Sequence, residues 1–260
     1  MAARSRRRWP WLLLAVLLVL LALAWWFPAR WAWRLVQDDY PTVRVGAMSG
    51  SVWAGEAKGL VVNGQHLGRL DWTLSRMAVF GHLRGQVALS GAGVMIHGHI
   101  ARADDDAIVA SKLDFSVPMK RLKVLWPAGM RLEGTVAGHV DKLRLVDGWP
   151  TQLQARVTWR SAQVDDAERE VMLGDIQSRW QTQGGSVIRA DLADEGTDGP
   201  LSLRGQFVAT TLGWRLDVTM RPRGAHPALR RLLERFGQRQ PDGSVRMQRH
   251  GGLAMAEIAP

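Results

Sequence analysis

The amino-acid sequence predicts a mainly β protein: an N-terminal transmembrane helix, then an elongated, curved antiparallel β-sheet in two similar halves, with few short helices. Three observations predict it. A single uncharged run of nineteen residues, Trp9 to Phe27, stands near the N-terminus. Beyond it, apolar and polar residues alternate with period two, the mark of half-buried strands. Turn pairs containing glycine separate these segments at intervals of about ten residues, which suits a meander of hairpins.

The 260 residues carry 34 Lys+Arg against 24 Asp+Glu, and the excess sits at the two ends. Residues 1–8 hold four Arg and no acid, and residues 221–260 hold eight Arg and three acids. The chain between them is close to neutral, which argues against a nucleic-acid groove, since that needs basic residues clustered across the fold. With no cysteine, disulfides, thiolate metal sites and cysteine nucleophiles are excluded.

Taken in order, residues 1–8 form an Arg-rich head. Residues 9–27 form the transmembrane helix, whose length nearly matches a hydrocarbon core of roughly 30 Å. The arginines Arg4, Arg6, Arg7 and Arg8 place the N-terminus in the cytoplasm. Trp9 and Trp11 mark one interface, and Trp25, Trp26, Trp31 and Trp33 the other, because amphipathic rings prefer headgroup level. A cleaved signal peptide would use Ala22-Leu23-Ala24, but that triplet lies inside the apolar run with bulky residues directly after it. The body is then periplasmic in a bacterial cell, tethered to the inner membrane. Residues 28–45 read as a linker, residues 46–250 as the β domain with halves 46–147 and 150–250, and residues 251–260 as a tail.

In the β domain, Val52–Ala57 leads into Leu60-Val61-Val62, and Leu70–Leu74, Leu83–Leu89, Leu113–Val117, Leu143–Leu145, Leu153–Trp159, Leu201–Leu203 and Trp214–Met220 alternate. The expected turns are Asn63-Gly64, Ser90-Gly91, Asp147-Gly148, Gly184-Gly185 and Asp198-Gly199. Helical crossovers are missing between most strands, so the sheet is antiparallel. Two helical pieces are expected: a short one from Pro118 to Trp126, and one from His226 to Phe236. In the second, Pro227 suits the first turn and Leu229, Leu232, Leu233 and Phe236 share a face. That helix reads as a cap on the sheet. Arg230, Arg231 and Arg235 on its other face offer the alternative of a partner- or membrane-binding surface.

A faint repeat links Trp53 and Gly68 to Trp159 and Gly174, both pairs fifteen residues apart. Leu83-Arg84-Gly85-Gln86-Val87 is echoed by Leu203-Arg204-Gly205-Gln206-Phe207, and Leu132-Glu133-Gly134 has the same form. Trp53 and Trp159 are therefore expected at equivalent core positions. Mid-strand glycines imply bends or close backbone approach.

Catalytic signatures are missing: the sequence has no HExxH, GxSxG, Walker loop or GxGxxG. His97-Gly98-His99 puts two imidazoles on one side of a strand, but two histidines do not make a metal site. Asp104-Asp105-Asp106 reads as a solvated turn rather than a calcium loop. The expectation is a protein with no catalytic, cofactor-binding or metal residues, and not an enzyme. The seven tryptophans of the body, Trp53, Trp72, Trp126, Trp149, Trp159, Trp180 and Trp214, read as core, with sugar or lipid contact as the alternative.

The Arg-rich head and Trp-rich anchor are followed by Gly50-Ser51-Val52-Trp53-Ala54-Gly55 and Leu67-Gly68-Arg69-Leu70-Asp71-Trp72-Thr73-Leu74. Then come Pro118-Met119-Lys120-Arg121-Leu122, Leu132-Glu133-Gly134 and Val157-Thr158-Trp159. In this order the features resemble type II secretion system protein N, a family similar in turn to AsmA-like proteins, whose periplasmic parts are elongated, folded-over sheets. The resemblance implies a bitopic inner-membrane accessory subunit of the machine that exports folded proteins across the outer membrane. Its implied partners are other secretion subunits, in the inner-membrane platform or the secretin. The AsmA-like kinship implies an alternative, lipid handling or envelope maintenance through a greasy inner sheet face. No catalytic residue carries over.

Overall fold

The computed structural model describes residue 14 and residues 26–103, 105, 107–122, 130–166, 169–194 and 199–252. Apart from Leu14, Trp26 and Phe27, the expected membrane segment lies outside the described residues, as do the head and most of the tail. Among the described residues no helix is long and apolar enough to cross a membrane. The chain divides into two compact units, residues 1–92 and 93–260.

The described part is mainly β, antiparallel and open-sheeted, as expected. In the first unit, strands β1 (Val43–Arg44), β2 (Ala47–Gly50), β3 (Ala54–Val62), β4 (Gln65–Leu74) and β5 (Arg84–Gly91) form the sheet. β1 and β2 lie one after the other along the same edge of β3, which then pairs with β4, and β4 with β5. The β3–β4 turn falls at Asn63-Gly64, both with positive φ, the backbone a two-residue hairpin turn demands. Ser90-Gly91, expected as a turn, instead finishes β5.

Residues 28–45, expected as a linker, contain helix α1 (Ala29–Val36) and a 3-10 turn at Gln37–Asp39. The reason is local. Pro28 sets an extended N-cap, and the eight residues after it include no glycine, proline or β-branched residue until Val36. A further 3-10 turn spans Arg76–Phe80, with the Ser75 hydroxyl accepting from the Met77 amide.

The second unit is a meander. Strands β6 (Val94–Arg102), β7 (Ile108–Pro118), β8 (Met130–Val146), β9 (Trp149–Asp166), β10 (Arg169–Gln183), β11 (Val187–Asp194), β12 (Leu201–Thr210) and β13 (Gly213–Pro222) each pair antiparallel with the next in sequence. Only then does the order change. Helix α2 (Pro227–Phe236) and the two-residue strand β14 (Gln238–Arg239) intervene before β15 (Val245–Gly252), which pairs β13 on one side and β14 on the other. Asp147-Gly148, where the sequence places the junction between halves, is the tight turn between β8 and β9. Of the helix expected over Pro118–Trp126, one 3-10 turn forms at Met119–Arg121, and residues 123–129 lie outside the described residues.

α2 forms where its periodicity predicts. Leu229, Leu232 and Leu233 are each at most 3% exposed, while Arg230, Arg231 and Arg235 face outward. The leucines cover one end of the sheet's apolar face, where Leu132, Val164, Val171, Leu173, Leu201, Leu203, Met220 and Val245 are buried. The helix touches β10, β13 and β15. Its apolar stripe is therefore consumed in the core, and the capping reading holds.

The two halves of the repeat share one feature and lack another. Gly68 and Gly174 both take a left-handed backbone (φ +101° and +91°) at irregularities of the β3–β4 and β9–β10 ladders. Only glycine adopts this in a strand without strain. Trp53 and Trp159, however, are not equivalent. Trp53 sits in the bend before β3, whereas Trp159 lies within β9 and its indole donates to the Glu133 carbonyl at 2.9 Å. The signature of the repeat is a pair of bulges, and the tryptophans fall on different local geometry.

Candidate interaction surfaces

Beyond the reach of α2, the apolar face of the second unit continues with no helix over it among the described residues. Register places Trp180 of β10 beside Ala190 of β11, Ala190 beside Phe207 of β12, and Phe207 beside Leu216 of β13. The rings of Trp180 and Phe207 are 5.6 Å apart, and those of Phe207 and Trp214 are 6.2 Å apart and stacked. Trp214 remains 39% exposed. This aromatic row rests on small neighbours: Ala155, Ala190 and Ala209 leave room for the rings. Three of the body's tryptophans, Trp159, Trp180 and Trp214, thus belong to the apolar face, and Trp72 anchors its indole on the Val52 carbonyl at 3.1 Å.

The opposite face is polar. Arg204, Arg215, Asp217, Arg221, Asp242 and Arg246 line a groove of about 1240 Å³ between the sheet and the loop before β15. Asp217 accepts from Arg246 Nε at 2.9 Å and Nη2 at 2.5 Å, and from Gln248 Nε2 at 2.9 Å. The Arg246 hydrogen bonds hold its carboxyl below the usual carboxylate range. Asp242 pairs with Arg221 and accepts from the Ser244 hydroxyl at 2.6 Å, and it too is lowered, chiefly by Ser244. At the apolar end, Asp194 accepts from the Leu203 amide at 2.9 Å and pairs with Arg223. Burial raises its carboxyl, but the amide and the guanidinium together outweigh that and leave it lowered. These acids and arginines satisfy one another, as a solvated sheet face requires.

His97 and His99 do fall on one exposed side of β6, as their spacing predicts. They are not brought to a common ligand position. His97 Nε2 lies 3.3 Å from Asp114, which also meets His139 Nδ1 at 2.6 Å, and His139 Nε2 lies 3.3 Å from Asp141. The result is a cross-strand ladder of alternating imidazole and carboxylate over β6, β7 and β8. Among the described residues no group of three or more His, Cys, Asp or Glu is placed to hold a metal ion. Of the acidic triplet, Asp105 pairs with Arg144, whose hydrogen bond lowers its carboxyl, and the other two aspartates lie outside the described residues.

A third surface is the free edge of β15. On the side away from β13 only Val245 and Arg246 are paired, with β14. Met247 to Gly252 have no strand partner there among the described residues. The segment carries Arg249 and His250, both exposed, and no acid. Sequence alternation did not find this strand, because an edge needs few apolar residues.

The class defined by this arrangement is an antiparallel β meander with a partly sealed apolar face and an open basic edge. The family model for type II secretion system protein N matches residues 41–248, and the chain belongs to that family. No curated protein and no solved structure matches the chain. Membership brings an accessory role in type II secretion, interaction with other components of that system, and a place in the cell envelope.

Proposed function

We propose that this protein is an inner-membrane-anchored scaffold of the type II secretion system, supporting export of folded proteins across the outer membrane through protein–protein contacts and not through chemistry. The observation that carries the reading is the family match over almost the whole β body. Residues 9–27 are the anchor, residues 1–8 lie in the cytoplasm, and the body is periplasmic. The partners are subunits of the inner-membrane platform or the secretin. The edge of β15 is the natural docking strand, since its unpaired N–H and C=O groups are a template for an added strand. Its charge favours an acidic extended segment. A second copy of the same strand would place basic residues against basic residues, which is unfavourable.

A second reading, lipid handling in the AsmA-like manner, is favoured by the aromatic row Trp180–Phe207–Trp214 on the part of the apolar face that α2 does not cover. Deleting the protein and measuring both cargo export and outer-membrane permeability separates the two. Lost export with an intact envelope supports the scaffold. Normal export with a leaky envelope rejects it in favour of lipid handling.

A further inference from the structure

α1 is apolar on the wrong side for a helix facing water. Its inward stripe follows the usual spacing: Ala29 is 4% exposed, and Ala32 and Trp33 are half-buried against the first unit. Its outward stripe carries Trp31 and Leu35, one turn apart, which are 53% and 77% exposed. Trp26 and Tyr40, just before and after the helix, are 75% and 56% exposed. Arg30 and Arg34 flank this patch, and the Arg34 guanidinium lies 5.5 Å from the Trp31 ring. The helix itself carries large apolar side chains and two arginines with no acid, the composition of a helix seated at a lipid headgroup layer, and the exposed acids Asp38 and Asp39 follow it only in the next turn.

The helix is also fastened to the β body. The Val52 amide donates to the Phe27 carbonyl at 3.0 Å, Pro28 bridges Ser51, and α1 touches β2. Only Pro28 separates it from the uncharged run Trp9–Phe27. Chain continuity therefore selects the occupant of the patch, because a segment beginning two residues beyond a membrane span is held at the bilayer surface.

We propose that α1 is an interfacial helix, with Trp31 and Leu35 inserted into the leaflet on the side of the β body and Arg30 and Arg34 on anionic headgroup phosphates. The first unit is thereby seated on the membrane instead of swinging from a tether. The inference rests on residues 9–27 being a membrane anchor. Trp and Tyr are the residues that favour this depth, and arginine completes the match to phosphate.

The chain has no cysteine, so single nitroxide labels can be placed at Leu14→Cys, Leu35→Cys and Leu212→Cys. Leu35 and Leu212 are exposed, which keeps the fold undisturbed. The full chain is held in nanodiscs of phosphatidylethanolamine and phosphatidylglycerol, and collisions with oxygen and with a water-soluble nickel chelate are measured. The expected result is high oxygen and low chelate collision at 14 and 35, with 35 the shallower, and the reverse at 212. A label at 35 that behaves like 212 while 14 is immersed overturns the interfacial helix and leaves the anchor standing. A label at 14 that behaves like 212 removes the anchor and the inference with it. A label at 35 shielded from both reagents means that protein covers the patch, which also overturns the proposal.

Discussion

The indole of Trp214 lies directly over Gly251 on the neighbouring strand: the two are register partners, and a Cβ at 251 would sit 2.8 Å from the indole Nε1. The same relationship recurs at Gly55 beneath Trp72 and at Gly138 beneath Phe115, each pair directly opposed across a ladder. Glycine mid-strand forgoes its own packing, and here an aromatic ring from the next strand takes the space. Gly251→Ala is expected to lower stability by about 1–3 kcal/mol through overpacking. A denaturation midpoint equal to the parent would show that the ring moves aside freely.

Removing the seal over the apolar face should be costly. Leu233 is 2% exposed on the buried face of α2, and Leu233→Ala is expected to cost about 2–5 kcal/mol. Arg231→Ala, on the same helix but facing water, should stay within about 0.5 kcal/mol. The check is a chemical denaturation series together with binding of an apolar dye, which should rise for the leucine variant alone.

Acid should weaken the second unit by a defined route. Asp217 and Asp194 have carboxyls lowered in the folded state, Asp217 first by its Arg246 hydrogen bonds and Asp194 by the Leu203 amide and Arg223 against the opposing effect of burial. A lowered folded pKa means stability that is fully present above the unfolded value of about 3.9 and is lost as pH falls through the folded value. Asp217→Asn should flatten the acid limb of a melting-temperature profile below about pH 4. An unchanged slope would show that these carboxylates are not linked to folding.

The basic edge of β15 predicts a charge-dependent contact. Arg249→Glu with His250→Glu should reduce co-purification with the other secretion components while leaving the denaturation midpoint in place, since both side chains are exposed. Co-purification unchanged by the reversal would remove β15 as the docking strand.

Much of the fold was legible before the structure. Leu70–Leu74 in β4, Leu83–Leu89 ending in β5, Leu113–Val117 in β7, Leu153–Trp159 in β9 and Trp214–Met220 in β13 alternate, and α2 shows Leu229, Leu232, Leu233 and Phe236 at helical spacing. Only the Leu173-Gly174-Asp175-Ile176 segment of β10 is visible in the sequence, because the bulge at Gly174 shifts the period between Val171-Met172-Leu173 and Ile176. β15 has only Val245 and Met247 as large apolar residues. α1 reads as a linker in the sequence because eight residues give barely two turns of periodicity and its tryptophans suit the membrane interface equally well without a helix. Of the surfaces, the basic face of α2 could be read in sequence. The aromatic row could not, since register alone brings Trp180, Phe207 and Trp214 together.

In the second unit every strand from β7 to β13 pairs with its immediate predecessor in the chain, and among the described strands only β15 reaches past an intervening helix to its partner. A polypeptide is made amino end first, so each new strand finds its template already laid down. The growing edge is always the newest strand. The exception comes after β13: once that strand is complete, Val218 and Met220 wait for α2 and β15 before they are covered. A nascent chain halted before Pro227 would carry strands up to β13 with their greasy end uncapped, the form most prone to stick to its neighbours. The segment from Pro227 to Gly252 is thus the one that makes the sheet safe to release.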